Sequence, residues 1–391
     1  MQFSLPAKLK HHHINLAFLY FLAASAKTIL LSLIPLGALH HYGSAQSVSV
    51  LYFVISVVGL FTSILIPRLI RNSGASGAIY MGSGAMIIAA LLMLTGLKWH
   101  FAIGMALHMY GSLAMEIGLT LILLQRIPRE SMAAFEPTRV IFQATSYMTG
   151  PWIGVALFRN FDNALPFLIS MSIAGFLVVS LFVMKLHRYG TGEPTSSSTH
   201  SPFESVKHFV SQPRLRLSWF ITLGRTAWWN VFFIYTPIYA VTTGLGEFAG
   251  AAIVSIGVAF VLSVHFWSWL GRKKGFRRMV ITSFALSGIS LVLLGLLDVP
   301  PLIGGALLVL TALTATPLDA AGNLAFLKFV RRRERVAMTG VFQTNRDASQ
   351  LIPPGIFAVA LINFELPVIF LLTGAGMLGL SRLARHLPKR F

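Results

Sequence analysis

Residues 187–216 read HRYGTGEPTSSSTHSPFESVKHFVSQPRLR, the one long polar stretch in a chain of 391 residues. Its first part is rich in Ser, Thr, Pro and Gly, which is typical of a flexible linker. Residues 203–210 have the pattern of a short amphipathic helix lying at a membrane interface. The stretch lies at the middle of the chain, and it separates six apolar segments from six.

The composition indicates a protein surrounded by lipid. Hydrophobic residues make up 55% of the chain, charged residues only 11%, and the mean hydropathy is +0.74. A water-soluble domain of this size needs more charge to cover its surface. The absence of Cys excludes disulfides and thiolate metal sites.

The apolar segments have the length of transmembrane helices. A helix needs about 20 apolar residues to cross about 30 Å of hydrocarbon. We therefore predict an all-α membrane protein with twelve transmembrane helices. They cover 14–39, 46–67, 76–96, 101–125, 138–159, 165–186, 217–241, 248–270, 279–297, 302–327, 338–362 and 366–386.

The distribution of basic residues predicts the orientation. With the N-terminus in the cytoplasm, 26 of the 31 Lys and Arg residues fall on the cytoplasmic side, and only Lys98 and Arg159 fall outside. Cytoplasmic loops carry this excess in integral membrane proteins. We therefore expect both termini in the cytoplasm and the protein in the plasma (inner) membrane. The net charge of +19 needs no nucleic-acid partner, and the first apolar run is too long for a cleaved signal peptide.

The two halves of the chain resemble each other at offsets of 200 to 203 residues. We predict an N-terminal six-helix bundle over 1–188, a cytoplasmic linker over 189–215 and a C-terminal bundle over 216–391, with the bundles related by a pseudo-twofold axis. The matching pairs are Pro35 and Pro237, Gly74 and Gly275, Glu116 and Asp319, Phe142-Gln143 and Phe342-Gln343, and Pro166 and Pro367.

This organisation resembles the major facilitator superfamily, and the resemblance covers the whole chain. The loop signature G-x-x-x-D-R-x-G-R-R is partly kept in 268–277, SWLGRKKGFR, and in 67–76, PRLIRNSGAS, where Gly74 remains; both copies have Arg in place of the Asp. Gly150-Pro151-Trp-Ile-Gly154 is similar to the G-P-x-x-G-G element of proton-driven exporters, with Val155 replacing the last Gly. The resemblance implies a central cavity lined by spans that include 1, 4, 7 and 10, and it assigns Gly74, Gly275, Gly150, Pro151 and Gly154 to gating and helix packing.

Six charged side chains lie well inside apolar runs. A charge at the bilayer centre costs about 2.5–3.5 kcal/mol even on lenient scales, so these residues are expected to face a wet cavity or each other. The repeat gives each half one cation and one anion on corresponding spans. The six residues are Lys27, Glu116, Arg225, Asp319, Arg346 and Asp347.

Helical spacing then suggests roles for these groups. Glu116 and Asp319 are the candidate proton carriers, with His108 as a possible relay or a packing residue. Arg346 and Asp347 form a second charge pair, either a structural ion pair or a functional one. His108, Ser112, Glu116 and Thr120 share one helix face, as do Thr316, Asp319 and Asn323. The candidate substrate contacts are Lys27, Arg225, Ser112, Trp228, Asn323, Gln143 and Gln343.

Together these patterns predict a secondary transporter of a small organic solute, with proton-coupled efflux by alternating access. The partners are the solute, protons and lipid, and the expected state is a monomer without cofactor or metal. The alternative is an organic-anion or organophosphate exchanger that uses Lys27 and Arg225. An enzyme or a sensor is disfavoured because the chain has no Gly-rich nucleotide loop, no H-E-x-x-H motif and no long cytoplasmic domain. Transport requires Lys27, Glu116, Arg225 and Asp319 to converge on one hydrated chamber.

Overall fold

The computed structural model describes residues 7–127, 129–186, 202–331 and 334–388, and within these ranges all regular secondary structure is helical. The linker residues 187–201 and the side chains of 63–72, which include part of the first loop signature, lie outside the described residues. The predicted all-α membrane architecture is confirmed.

The first compact unit contains the described residues of 7–42 and 57–186. Helix α1 packs against α4, α5 and α6 at the centre of this unit. Large buried side chains such as Leu19, Tyr20, Ile79 and Met115 fill its core. The helices are α1 Ala7–Thr28, α2 Leu33–Tyr42, α3 Ala45–Leu94, α4 Lys98–Arg126, α5 Arg129–Asn160 and α6 Leu165–Val183.

The second compact unit contains residues 43–56 and the described residues of 202–388. The start of α3 thus belongs to it, although the predicted N-terminal bundle includes residues 43–56. The Ser49 and Tyr235 hydroxyls are hydrogen bonded at 2.7 Å within this unit. Its other helices are α7 Pro202–Ser211, α8 Pro213–Thr242, α9 Glu247–Ala259, α10 Val264–Lys274, α11 Phe276–Leu296, α12 Pro301–Ala321, α13 Leu324–Phe329, α14 Arg335–Ala360 and α15 Pro367–Leu383.

Nine helical segments of the described chain are long and apolar enough to cross a membrane, and each overlaps a predicted span. The other three predicted spans, 138–159, 217–241 and 338–362, lie on α5, α8 and α14, which have 32, 30 and 26 residues. The total of twelve stays a prediction. The nine segments are His13–Tyr42, Ala45–Thr62, Ser73–Leu94, Lys98–Arg126, Leu165–Val183, Glu247–Lys274, Phe276–Leu296, Pro301–Phe329 and Pro367–His386.

Two glycines matched by the repeat have the same backbone role. Gly74 interrupts α3 with φ 73°, and Gly275 separates α10 from α11 with φ 92°. Side chains other than hydrogen are strained in this left-handed region. The glycine of the loop signature is therefore needed for the turn between consecutive helices in both halves.

The amphipathic segment beyond the linker forms helix α7, in which Phe209 packs on protein while Val206 and Val210 are exposed. Phe209 is buried in a cluster with Leu215, Phe326 and Phe342, and the last two rings stack at 4.1 Å. The prediction of a helix is correct. The location of this helix at the membrane interface stays a prediction; the second unit covers the Phe209 ring.

Candidate functional site

The second unit contains a buried ion pair between helices α8 and α12. Nη1 of Arg225 donates to Oδ1 of Asp319 at 3.0 Å, and the indole Nε1 of Trp229 donates to both carboxylate oxygens at 3.3 and 3.0 Å. Arg225 and Trp229 are one helical turn apart on α8, so both reach the same acid. The structure thus brings together the cation and the anion that the repeat assigns to the second half.

Helix α12 ends immediately beyond Asp319. Pro317 removes one backbone donor, and the helix stops at Ala321, where Gly322 has φ 45°. A carboxylate in the last turn lies near the negative end of the helix dipole, which disfavours it. The Arg225 charge and the Trp229 N–H offset this cost, so the three residues form one unit.

The helix end also separates two residues that spacing placed on one face. Asn323 follows the break at Gly322 as the first residue before α13, and its side chain is exposed. The predicted continuous face of Thr316, Asp319 and Asn323 is therefore wrong, because the helix does not extend that far. Thr316 is fully buried and donates to the backbone of Ala312.

An aromatic wall stands beside the ion pair. Trp229 stacks on Phe233 with ring centroids 5.2 Å apart and an interplanar angle of 25°. Trp228, the predicted substrate contact, is only 2% exposed, stacks on Phe232, and donates its indole N–H to Thr311 at 3.3 Å. Trp228 thus packs the interior of the unit, and the adjacent Trp229 contacts the acid.

The ion pair is accessible and incompletely satisfied. The side chains of Arg225 and Asp319 are 21% and 15% exposed. Nε of Arg225 is buried without a hydrogen-bond partner in the described part of the chain. Charges inside a membrane protein face water or a ligand in preference to lipid, so the accessible side of this pair is a candidate binding surface.

In the first unit, Lys27 and Glu116 form no salt bridge with each other. The described residues contain no salt bridge of Lys27 at all. Its ammonium lies 5.8 Å from the ring centroid of Tyr147 and acts electrostatically on His108. His108 is 6% exposed, and its Nε2 has no hydrogen-bond partner among the described atoms. Among the described residues, the predicted cation and anion are paired in the second unit, as Arg225 and Asp319, and form no salt bridge in the first.

Glu116 belongs to a different cluster, which involves the start of α5. The charge of Glu116 acts on Arg139 and Tyr20. Arg139 lies over the Tyr20 ring at 5.3 Å, binds both carboxylate oxygens of Glu136, and donates to Oε1 of Gln143 at 2.5 Å. Gln143, a predicted substrate contact, thus orients this arginine.

Sequence reasoning missed Arg139 as a site residue. It lies at the edge of the predicted span 138–159, where it counts among the cytoplasmic basic residues. The available signal was Glu136, three residues earlier on the same helix, because opposite charges at this spacing pair.

The element Gly150-Pro151-Trp-Ile-Gly154 of α5 packs against a break in the first span. Helix α1 ends at Thr28, one residue after Lys27, and α2 begins at Leu33. A Cβ atom at position 150 would lie 2.8 Å from the carbonyl carbon of Thr28, and one at position 154 would lie 1.9 Å from the carbonyl oxygen of Ile29. The two glycines therefore permit backbone contact, which fixes the turn beside Lys27.

The remaining predicted residues lie on α4 and α14. Ser112 donates to the backbone of Met109 on its own helix. On α14, Gln343 and Arg346 are exposed, and Asp347, half-buried, interacts electrostatically with Arg346. The second charge pair therefore involves neighbouring residues of a single helix.

Long apolar helices, broken helix ends and charged clusters within the spans define an integral membrane protein. The sequence profile described as Major Facilitator Superfamily matches residues 16–354, and the chain belongs to this family. The resemblance inferred from the sequence is therefore confirmed. The protein is a secondary transporter and not an enzyme.

Solved transporter structures share the fold at low sequence identity. A POT family transporter in complex with a thioalcohol-conjugated peptide has a TM-score of 0.71 at 16% identity, with 94% of each chain covered. The peptide transporter POT in complex with sulfate gives 0.72 and 12%, covering 95% of this chain and 93% of that one. The nucleoside transporter NupG gives 0.70 and 13%, covering 95% and 98%. Curated proteins give no significant match.

Proposed function

We propose that this protein is a proton-coupled exporter of a small organic solute, working by alternating access in the plasma membrane with both termini in the cytoplasm. The observation that carries the proposal is the Arg225–Asp319–Trp229 cluster, an accessible acid held by two donors inside a membrane helix pair. The proposed division into two transport bundles, 1–188 and 216–391, follows the sequence repeat.

The chemistry of this cluster suits a reversible proton site. While Arg225 contacts Asp319, the countercharge and the Trp229 N–H stabilise the ionised carboxylate. If a conformational change or a ligand withdraws Arg225, the acid is left in a low-dielectric setting without its countercharge, and protonation relieves that cost. Loading and release of a proton are thereby linked to the position of one arginine.

Glu116 is the proposed second proton carrier. Arg139 supplies a nearby positive charge that interacts electrostatically with Glu116, and its bidentate bond to Glu136 holds it in place. His108, whose buried Nε2 has no partner among the described atoms, is a proton relay in this proposal. Lys27 acts electrostatically on His108, so this proposal places the two residues in one site.

The direction of transport rests on the partial exporter element at Gly150, Pro151 and Gly154. Its close contact with the α1 break gives the element a physical role, because a turn in a membrane helix can change conformation more easily than a continuous helix. The similar solved structures are transporters of peptides and nucleosides by name. At 11–16% identity the likeness supports the fold alone.

The experiment is transport in reconstituted vesicles. Thermal stabilisation of the purified protein across a small-molecule panel at two pH values first identifies a ligand. A pH gradient then drives accumulation of that ligand in vesicles with the wild-type protein, and Asp319→Asn and Glu116→Gln abolish this accumulation while the protein remains in the membrane. Asp298→Asn, at an exposed position in the same unit, is the matched control. Full gradient-driven transport by the two acid variants would remove these residues from the mechanism.

The second candidate is an organic-anion or organophosphate exchanger. The absence of a salt bridge to Lys27 within the described chain favours it, because an unneutralised cation attracts an anionic ligand. Lys presents a point charge instead of the planar fork of Arg. Counterflow of a labelled organic phosphate without any proton gradient supports this candidate, and absence of counterflow excludes it.

A further inference from the structure

We infer that the solute is an organic carboxylate with a flat ring, and that its carboxylate takes the place of Asp319 on Arg225. This inference rests on the proton coupling of the proposed function and not on the direction of transport: it names the class of the substrate, and because the anion and the proton bind together, the protein moves both in the same direction. Its first support is the incomplete use of the arginine. A guanidinium has five N–H donors arranged as a fork, yet its bond to Asp319 uses only Nη1.

The unused donors match a carboxylate. Nε of Arg225 is buried, has no hydrogen-bond partner among the described residues, and belongs to a side chain that is still 21% exposed. Carboxylates bind the guanidinium fork through two parallel N–H···O bonds. A ligand carboxylate that binds Nη1 and Nη2 gains the bidentate geometry that Asp319 lacks, so it can compete with the single bond at 3.0 Å.

The aromatic side chains beside Arg225 and Asp319 indicate what the ligand carries besides its carboxylate. Trp229 contacts Asp319 through its indole nitrogen and presents a ring that is partly exposed, with Phe233 stacked on it at 5.2 Å. Aromatic rings favour offset stacking with other flat rings. Trp228 and Phe232, both buried, support this wall from behind. An anionic head on Arg225 and a flat apolar body against Trp229 follow from this arrangement.

Replacement of Asp319 by the ligand carboxylate on Arg225 explains why a proton is taken up when the ligand binds. When the ligand takes Arg225, the bond from Nη1 to Asp319 breaks, and Asp319 keeps only the Trp229 N–H. A proton from water then binds the Asp319 carboxylate, so charge in the site is conserved: one anion enters with one proton. Helices α8, α9, α10 and α11 pack on α12, and the charge among their described side chains that acts on Asp319 is Arg225; His265 on α10 is exposed.

Equilibrium binding to the purified full-length protein tests the inference without any transport step. The probes are 2-naphthoate, its neutral analogue 2-naphthamide, the ringless anion acetate, and 2-naphthyl phosphate. Between about pH 5.5 and about pH 7.5, affinity of the wild type for 2-naphthoate falls by up to about tenfold per pH unit, because one proton is taken up with the ligand. The affinity for 2-naphthamide does not change with pH, and acetate binds at least about tenfold more weakly than 2-naphthoate because it lacks the ring.

Variants separate binding from folding. Asp319→Asn removes the competing carboxylate, so 2-naphthoate binds at least about tenfold more tightly at pH 7.5 and its affinity no longer varies with pH. The double variant Arg225→Gln, Asp319→Asn removes both charges, avoids an unpaired buried acid, and reduces 2-naphthoate binding to the level of 2-naphthamide. Asp298→Asn and Arg278→Gln, both exposed, behave as the wild type.

The outcomes also distinguish the inference from the proposed function. If wild type and Asp319→Asn bind 2-naphthoate equally, or if the amide binds as well as the acid, the carboxylate inference is wrong even when Asp319→Asn abolishes gradient-driven transport. If 2-naphthyl phosphate is the only probe that binds, the carboxylate inference is wrong and the organophosphate exchanger is the better function. If 2-naphthoate binds as expected but no pH gradient drives its transport, the coupling in the proposed function fails and the ligand class stands.

Discussion

The contact between Gly154 and the break of the first span gives a sharp stability prediction. A Cβ atom at position 154 would lie 1.9 Å from the carbonyl oxygen of Ile29. Non-bonded heavy atoms rest about 3.5 Å apart, so Gly154→Ala forces α1 and α5 to separate by about 1.5 Å. The same helix pair is joined by the bond from Thr28 Oγ1 to the carbonyl of Ser146 at 2.9 Å and by the Ser25–Ser146 hydroxyl pair at 2.9 Å.

The expected loss of stability combines two effects. Overpacking in a close-packed interior costs about 1–3 kcal/mol, and each weakened hydrogen bond costs a further 0.5–1.5 kcal/mol, roughly. Gly154→Ala should therefore lower the free energy of unfolding by about 2–6 kcal/mol. The measurement is equilibrium unfolding of the purified protein in mixed detergent micelles, followed by tryptophan fluorescence.

Gly175→Ala is the matched control. Gly175 lies within α6, and a Cβ atom added there would have no atom of a neighbouring element within 4 Å, so alanine fills open space. Because alanine favours helix by about 1 kcal/mol over glycine, this variant should be neutral or slightly stabilised. Equal stabilities of the two variants, within about 0.5 kcal/mol, would refute the close backbone contact and the role assigned to the Gly150–Gly154 element.

Three further predictions concern charge, backbone and topology. Arg225→Gln should destabilise the protein by about 2–4 kcal/mol in the same unfolding assay, and adding Asp319→Asn should restore most of the loss, because a lone buried charge costs more than none; no restoration would contradict the pair. Gly275→Ala, at φ 92°, should cost about 1–2 kcal/mol, whereas Gly376→Ala, a helical position in open space, should not; equal melting temperatures would argue against the turn. A reporter that is active only in the cytoplasm should be active when it is fused to the C-terminus. Activity of a reporter that works only in the periplasm, fused at the same place, would overturn the orientation predicted from the basic residues.

The parts of the fold that can be predicted from the sequence depend on strong local physics. Apolar length places the spans, because the bilayer imposes about 20 residues on each helix. The repeat matches Gly74 with Gly275, and both occupy left-handed backbone that glycine tolerates best. The membrane penalises isolated charges, so Arg225 and Asp319 are expected to meet, and the structure places their side chains 3.0 Å apart.

The site details that failed depend on tertiary geometry. Trp228 and Trp229 lie three and four residues after Arg225, and both spacings allow a shared face. Only the crossing of α8 with α12 selects Trp229 as the partner of the acid. Glu116 acts electrostatically on Arg139, a residue of α5 that the spacing of charges within the spans does not single out. Proximity across helices of this kind leaves no periodic signal in the sequence.

The central claim is that a ligand anion and a proton enter the Arg225–Asp319 site together. Calorimetric titration of 2-naphthoate near pH 7, in buffers of different ionisation enthalpy, counts the protons taken up on binding. The wild type should take up about one proton per ligand, and Asp319→Asn should take up none. Equal proton uptake by the two proteins, or no uptake by the wild type despite binding, would contradict the account.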